Sequence, residues 1–222
     1  MTQGESPRVK VCGITRREDA ETAAAAGADF LGVILAPGGK RTVSAAAARD
    51  LLAGLGVLRV GVFVGSSEAE VLRAAEDAAL HVVQLHGDET PETADALRRA
   101  GLTVWKALRP RSGEDFADNV GRYASSVDAI LLDGWSARAH GGTGAKFPWA
   151  EVAPHRHLLP QGVQLVAAGG MRAENVAEAA GLLRPDVVDV SSGVESAPGV
   201  KDAGAVRAFV AAVRSLSSTE QR

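Results

Sequence analysis

The residues of this chain best placed to do chemistry are one cysteine, one strand-ending aspartate and two glycine-bearing turns. Cys12 closes the apolar run Val9-Lys10-Val11-Cys12, and Asp133 closes Ala129-Ile130-Leu131-Leu132-Asp133. A free cysteine is by default a small buried hydrophobe, and only its surroundings make it reactive. At the carboxyl end of a strand it can act as a general base, provided nearby cations favour the thiolate. Asp133 is not the cap of the next helix, which starts many residues later near Trp149. Its carboxylate therefore has no capping duty. Gly169-Gly170 and Ser191-Ser192-Gly193 each follow an apolar run, and Gly141-Gly142-Thr143-Gly144 lies in the long segment after Asp133. Glycine loops after successive late strands suit a phosphate, because backbone N–H groups can approach an anion that a Cβ would hold off. The expected cradle is Gly142, Gly169, Gly170, Ser192 and Gly193. Arg41, after the flexible Gly38-Gly39, can grip a planar carboxylate with two parallel hydrogen bonds. Gln84 and His86 end another strand and are expected at the same mouth.

These positions need a scaffold that brings strand ends together. Short Val/Ile/Leu-rich runs alternate with Ala-rich helical stretches along the whole chain, with no linker. Strands are expected near Val9–Ile14, Asp29–Leu35, Val57–Val64, His81–Leu85, Leu102–Leu108, Asp128–Asp133, Val163–Ala168 and Val187–Ser191. The clearest helices are Arg16–Ala26, Ser44–Ala53, Pro91–Ala100 and Asp202–Val213; Ser67–Ala78, Glu114–Tyr123, Trp149–His157 and Arg172–Leu182 complete the set. Eight such units in 222 residues, about 28 residues each, fit a closed single-domain (β/α)8 barrel. An open doubly wound sheet would share the apolar strands, but the first strand lacks a Gly-x-Gly-x-x-Gly turn. Polar residues decide for the barrel. Lys10 and Cys12, Gln84 and His86, Lys106, Asp133, and Asp189 and Ser191 alternate along strands and would converge on one axis. Lys10 and Asp189 fall on neighbouring strands once the barrel closes, so they are expected to pair below the reacting groups.

Composition narrows the partners. With 24 Lys and Arg against 27 Asp and Glu, the net charge is −3, which offers no field for nucleic acid or a lipid surface. No apolar run is long enough to span a membrane. The opening residues lack the pattern of a signal peptide, and the single cysteine suits a reducing compartment, so a cytoplasmic location is expected. Residues 1–7 are read as a disordered lead, 8–216 as the barrel and 217–222 as a polar tail.

Several separate motifs then occur in one order: Val9-Lys10-Val11-Cys12-Gly13-Ile14-Thr15, Gly61-Val62-Phe63-Val64, Val83-Gln84-Leu85-His86-Gly87, Leu131-Leu132-Asp133, Gly141-Gly142-Thr143-Gly144, and Asp189 to Glu195 with Pro198-Gly199 and Lys201-Asp202 behind it. In these the chain resembles the phosphoribosylanthranilate isomerase family of tryptophan biosynthesis, from about Val9 to Val213. The resemblance implies a barrel working without metal or cofactor, as a monomer or homodimer, on a small-molecule substrate. It implies an Amadori rearrangement of the N-glycoside of anthranilate and ribose phosphate to a ribulose phosphate amine. By position, Cys12 falls on the family's general base, Asp133 on its general acid and Arg41 on the carboxylate-binding residue. One departure is Gly39, where many members carry serine. Two other readings are weighed. The related isomerase of histidine biosynthesis should place an aspartate at position 12 and a second phosphate loop in the first half. A silent barrel that only binds sugar phosphate is countered by Cys12, Asp133 and Arg41 occurring together.

Overall fold

The computed structural model describes residues 6–134 and 149–218. Gly142 and its neighbouring glycines, most of the expected lead and the end of the tail lie outside the described residues. Eight parallel strands close into a barrel in sequence order. They are β1 (Arg8–Cys12), β2 (Phe30–Ile34), β3 (Leu58–Phe63), β4 (Val82–Leu85), β5 (Thr103–Leu108), β6 (Ala129–Leu132), β7 (Gln164–Ala167) and β8 (Val187–Val190). Each lies within a residue or two of its sequence expectation. Helices cover the outside: α1 (Arg17–Ala26), α2 (Ala45–Leu52), α3 (Glu68–Asp77), α4 (Pro91–Arg99), α5 (Gly113–Tyr123), α6 (Trp149–Val152), α7 (Val176–Leu183) and α8 (Ala203–Arg214). A short hairpin of β9 (Glu195–Ala197) and β10 (Val200–Lys201) precedes α8.

Local chemistry sets the helix ends. Ser44, Ser67, Thr90, Ser112 and Asp202 each accept a backbone N–H from the first turn of the helix they open. Gly27 stops α1 in the left-handed conformation at φ 100°. Two helices are shorter than expected. Pro154 lacks an N–H, and the stretch after Val152 tightens into a 3-10 turn over Ala153–Leu158. Before α7, the Asn175 side chain accepts from the Arg172 N–H and donates to the Gly170 carbonyl, which holds that stretch as a turn. At the other end, Ser215–Ser218 extends α8 as a 3-10 turn.

Two apolar layers separate inside from outside. Phe30, Val60, Val82, Trp105, Ala129, Leu131, Val166 and Val187 fill the lumen, while a larger cluster lies between the strands and helices. At the amino-terminal face, three carboxylates just before strands secure neighbouring strands. Asp29 accepts from Val9 N–H, Asp128 from Val104 N–H and Asp186 from Leu165 N–H. That face serves stability, which leaves the carboxyl-terminal ends free for a site.

The strand pattern corrects one expectation. Trp105 and Ala107 face the lumen, so Lys106 between them points outward. There it donates to Glu89 at 3.0 Å, and Glu89 in turn accepts from the Gly65 and Gly87 N–H groups. Lys106 ties the loops after β3 and β4 together and does not belong to the polar axis.

Candidate active site

The lumen-facing positions of β1 and β8 meet as expected. Lys10 and Asp189 are register partners, and Lys10 Nζ lies 2.8 Å from Asp189 Oδ2, with Lys10 wholly buried. Burial works to pull Lys10 down, but Asp189 and then Cys12 outweigh it, and the ammonium is held above its ordinary range. One residue pair higher, Cys12 ends β1 opposite Gly32 of β2. A Cβ on Gly32 would stand 2.7 Å from Cys12 Sγ and 3.2 Å from Lys10 Cε. The glycine makes the room in which thiol and lysine sit. Burial pushes the Cys12 thiol up, and Lys10 and Lys201 draw it back only in part.

Asp133 follows β6 on the far side of the mouth. Its Oδ2 lies 3.1 Å from His86 Nε2 and 3.8 Å from Arg109 Nε, and its Oδ1 accepts the Gly134 N–H at 2.9 Å. Burial alone would push this carboxyl up. The His86 hydrogen bond, with His86 and Arg109 as charges, reverses that and holds it below the usual carboxylate range. His86 is fixed in turn by Gln84, whose Nε2 donates to His86 Nδ1 at 2.9 Å.

Arg41 reaches the same cleft, but its Nε and Nη2 already grip Glu195 at 2.8 and 2.6 Å. The opposite edge of the guanidinium, Nη1 with the second Nη2 hydrogen, is the edge left for a ligand. The loop that delivers it is closed by Thr42, whose hydroxyl donates to the Ala36 carbonyl and accepts the Gly39 N–H. Gly39 thus sits in a tied turn. Lys201 joins Glu195 at 2.9 Å and donates to the Ser191 carbonyl.

Gly169 and Gly170 follow β7 at φ 81° and 70°, and Ser192 and Gly193 open a short 3-10 turn after β8. Among the described residues, the Gly169 and Gly170 N–H groups donate to no protein acceptor. A Cβ on Gly169 would collide with the Gly134 backbone, and one on Gly193 with the Met171 carbonyl. All four residues line one cleft of about 510 Å³ together with Cys12, Arg41, Gln84, His86, Asp133 and Asp189. That volume suits a ligand of substrate size. Gly142 cannot be placed, since it lies outside the described residues. Among the described residues, no group of three His, Cys, Asp or Glu side chains could hold a metal ion.

The sequence reading passed over Arg109 and gave no role to Glu195 or Lys201. Arg109 stands just after β5, where a strand-end argument could have found it. The other two matter only through partners distant in sequence.

Comparison with known proteins shows the family of this barrel. Residues 9–212 match the family model described as N-(5'-phosphoribosyl)anthranilate isomerase. A protein of that name from Rubrobacter xylanophilus is 45% identical over 210 residues, covering 94% of this chain and 99% of its own. One from Pseudomonas paraeruginosa is 43% identical over 217 residues, covering 96% and 98%. Among solved structures, the phosphoribosyl anthranilate isomerase of Thermus thermophilus superposes with a TM-score of 0.81 at 45% identity, over 94% of this chain and 99% of its own. Another was solved with reduced 1-(o-carboxyphenylamino)-1-deoxyribulose 5-phosphate, and it superposes at 0.83 with 35% identity, over 95% and 100%. A family match across nearly the whole barrel, with identities of this size, leaves one conclusion: the chain belongs to the N-(5'-phosphoribosyl)anthranilate isomerase family.

Proposed function

We propose that Cys12 is the base and Asp133 the acid of the reaction this isomerase catalyses in tryptophan biosynthesis. That reaction is the Amadori rearrangement of N-(5-phosphoribosyl)anthranilate to 1-(2-carboxyphenylamino)-1-deoxyribulose 5-phosphate. The observation that carries the assignment is one thiol and one carboxyl lining the same cleft from β1 and from the end of β6. Asp133 gives its proton to the furanose ring oxygen, and the bond from that oxygen to carbon 1 breaks. The nitrogen lone pair forms the iminium. Cys12 thiolate then takes the proton from carbon 2, whose electrons neutralise the iminium to an enolamine, and the enolamine tautomerises to the ketone. Acid and base on separate sides suffice, because the iminium itself acidifies carbon 2.

The free enzyme favours the opposite protonation, with a thiol at Cys12 and a carboxylate at Asp133. The two distributions carry the same number of protons. Turnover needs one proton on the carboxyl that the free site keeps on sulfur, and turnover ends with it on sulfur again. Each cycle therefore returns one proton from Cys12 to Asp133. An anionic substrate helps, because negative charge entering the cleft raises the carboxyl.

Arg41, through its unused edge, would hold the anthranilate carboxylate. Gly169, Gly170, Ser192 and Gly193, with Gly142 from outside the described residues, would cradle the phosphate. Gln84 and His86 complete the substrate pocket beside Asp133, and Lys10 with Asp189 supports it from below. No metal or cofactor enters these steps. The working form is a monomer or a homodimer. The isomerase of Thermotoga maritima is described as dimeric. A cytoplasmic location fits a single buried thiol that must stay reduced, and no described helix is long and apolar enough to cross a membrane.

The test is turnover of phosphoribosylanthranilate, followed by loss of its fluorescence. Cys12→Ser and Asp133→Asn should each keep the wild-type fold by circular dichroism and lose at least about a hundredfold in kcat. Full kcat in either variant would end that residue's assignment.

A further inference from the structure

Gln84 is only 1% exposed, and its amide is used unevenly. Nε2 donates to His86 Nδ1, while Oε1 is buried with no partner among the described residues. A buried amide oxygen without a donor needs a reason. An amide is nearly symmetrical in shape, and turned by half a rotation it would present that oxygen to the same ring nitrogen.

The two orientations demand different proton counts across the site. With the NH2 group toward the ring, Nδ1 accepts, the ring proton sits on Nε2, and Nε2–H donates to the Asp133 carboxylate 3.1 Å away. With the oxygen toward the ring, Nδ1 carries a proton. The His86–Asp133 pair then holds a second proton in the Nε2 to Oδ2 hydrogen bond, beside the substrate. The second state has one proton more than the first. That proton replaces the one Cys12 gives up in the same cycle, carried to the pair by solvent, and its delivery through Asp133 to the ring oxygen restores the first state. Coupled groups of this kind titrate as a pair.

We propose that Gln84 is a positioning residue whose amide, by turning, lets the His86–Asp133 pair load and release the proton that opens the sugar ring. The proposal rests on Asp133 being the acid. Other charges face the pair from two sides. Arg109, after β5, lies 3.8 Å from Asp133 and donates to the His86 carbonyl at 3.5 Å. Asp189 of β8, paired with Lys10 of β1, is within electrostatic reach of both His86 and Asp133. Neither offers a hydrogen-bond partner to Nδ1. Among the described residues only Gln84 does.

Two variants separate this role from a structural one. Gln84→Met keeps the length and removes both donor and acceptor; Gln84→Glu keeps an acceptor and removes the donor. Nitrogen-15 shifts of the five histidines, with His86 assigned by the signal lost in His86→Asn, report where each ring proton sits. Wild type should show Nε2–H alone at high pH and gain Nδ1–H as pH falls. The gain should move at least about one pH unit lower in Gln84→Met and higher in Gln84→Glu, with kcat reduced about tenfold or more in both and KM within about twofold. Gln84→Met, which buries no new charge, is the decisive variant should Gln84→Glu fail to fold. An unmoved His86 titration in Gln84→Met, or a change confined to KM, would overturn the proposal. Full activity of Asp133→Asn would instead overturn the assignment of the acid, so the two failures are distinct.

Discussion

Replacing Lys10 with methionine removes the cation paired with Asp189 in the lumen and leaves a carboxylate that is 8% exposed. Among the described residues Asp189 already has one oxygen, Oδ1, without a partner, so it has little to fall back on. Breaking a buried pair from one side costs about 3–5 kcal/mol, mostly the stranded charge. For a chain of 222 residues, at about 2 °C per kcal/mol, Tm should fall by roughly 6–10 °C. The loss should depend on pH with a fixed sign. In Lys10→Met the folded Asp189 carboxyl is raised above its unfolded value. The protonated form is then favoured on folding, and stability is lost as pH rises through the folded pKa. The variant should therefore lie closest to wild type near pH 4 and furthest from it near neutrality. The double variant Lys10→Met/Asp189→Leu should recover most of the loss, since no charge remains buried. A second readout tests the field on the thiol. Lys10 is the largest influence opposing burial at Cys12, so alkylation of this sole cysteine should need higher pH in Lys10→Met. Thermal unfolding from pH 4 to 8 and iodoacetamide kinetics measure both. A Lys10→Met protein within about 1 kcal/mol of wild type at pH 7 would refute the reasoning.

Other outcomes follow from the same contacts. Because burial raises the folded Cys12 thiol, its contribution is complete below the unfolded value of 9.0 and is lost as pH rises through the folded one. Urea midpoints of wild type should thus drop relative to Cys12→Ser above about pH 9. Arg41→Ala should raise KM by about 10- to 150-fold, the value of a charge-assisted contact of about 1.5–3 kcal/mol, with kcat little changed. Glu195→Gln should give a smaller rise in KM, because Arg41 keeps its charge but loses its bidentate anchor; a collapse of kcat with KM intact would point to a different role for both. Gly193→Ala places a methyl on the Met171 carbonyl and should weaken inhibition by inorganic phosphate along with substrate affinity. Unchanged phosphate inhibition in that variant would move the phosphate site elsewhere.

How far the sequence carried this reading depended on the kind of information each residue needed. Strands buried on both faces read as unbroken apolar runs, so all eight were visible with their ends nearly in place. The same property hid the facing of β5. In Val104-Trp105-Lys106-Ala107 nothing apolar distinguishes lumen from shell, and Lys106 was assigned to the wrong side. Lys10 and Asp189 were legible because closing the barrel makes β1 and β8 neighbours whatever the helices do. Pro154 was visible too, yet the cost of its missing N–H depended on whether packing would hold a full helix there, and it did not.

The protonation of the site was the least legible part, for a physical reason. A residue type gives the ordinary pKa, but the direction of its shift comes from groups that meet only in the fold. Asp133 is held down by His86, 47 positions away, and by Arg109. Arg41 is held by Glu195, 154 positions away, and that contact also decides which edge of the guanidinium is free. Three of the cations in and beneath the cleft already have protein anions. Lys10 has Asp189, and Arg41 and Lys201 share Glu195. The cleft therefore meets the carboxylate and phosphate of its substrate with backbone N–H groups, one guanidinium edge and the exposed Lys40. The positive charge that acidifies carbon 2 is supplied by none of these groups; it is the iminium that the substrate itself forms.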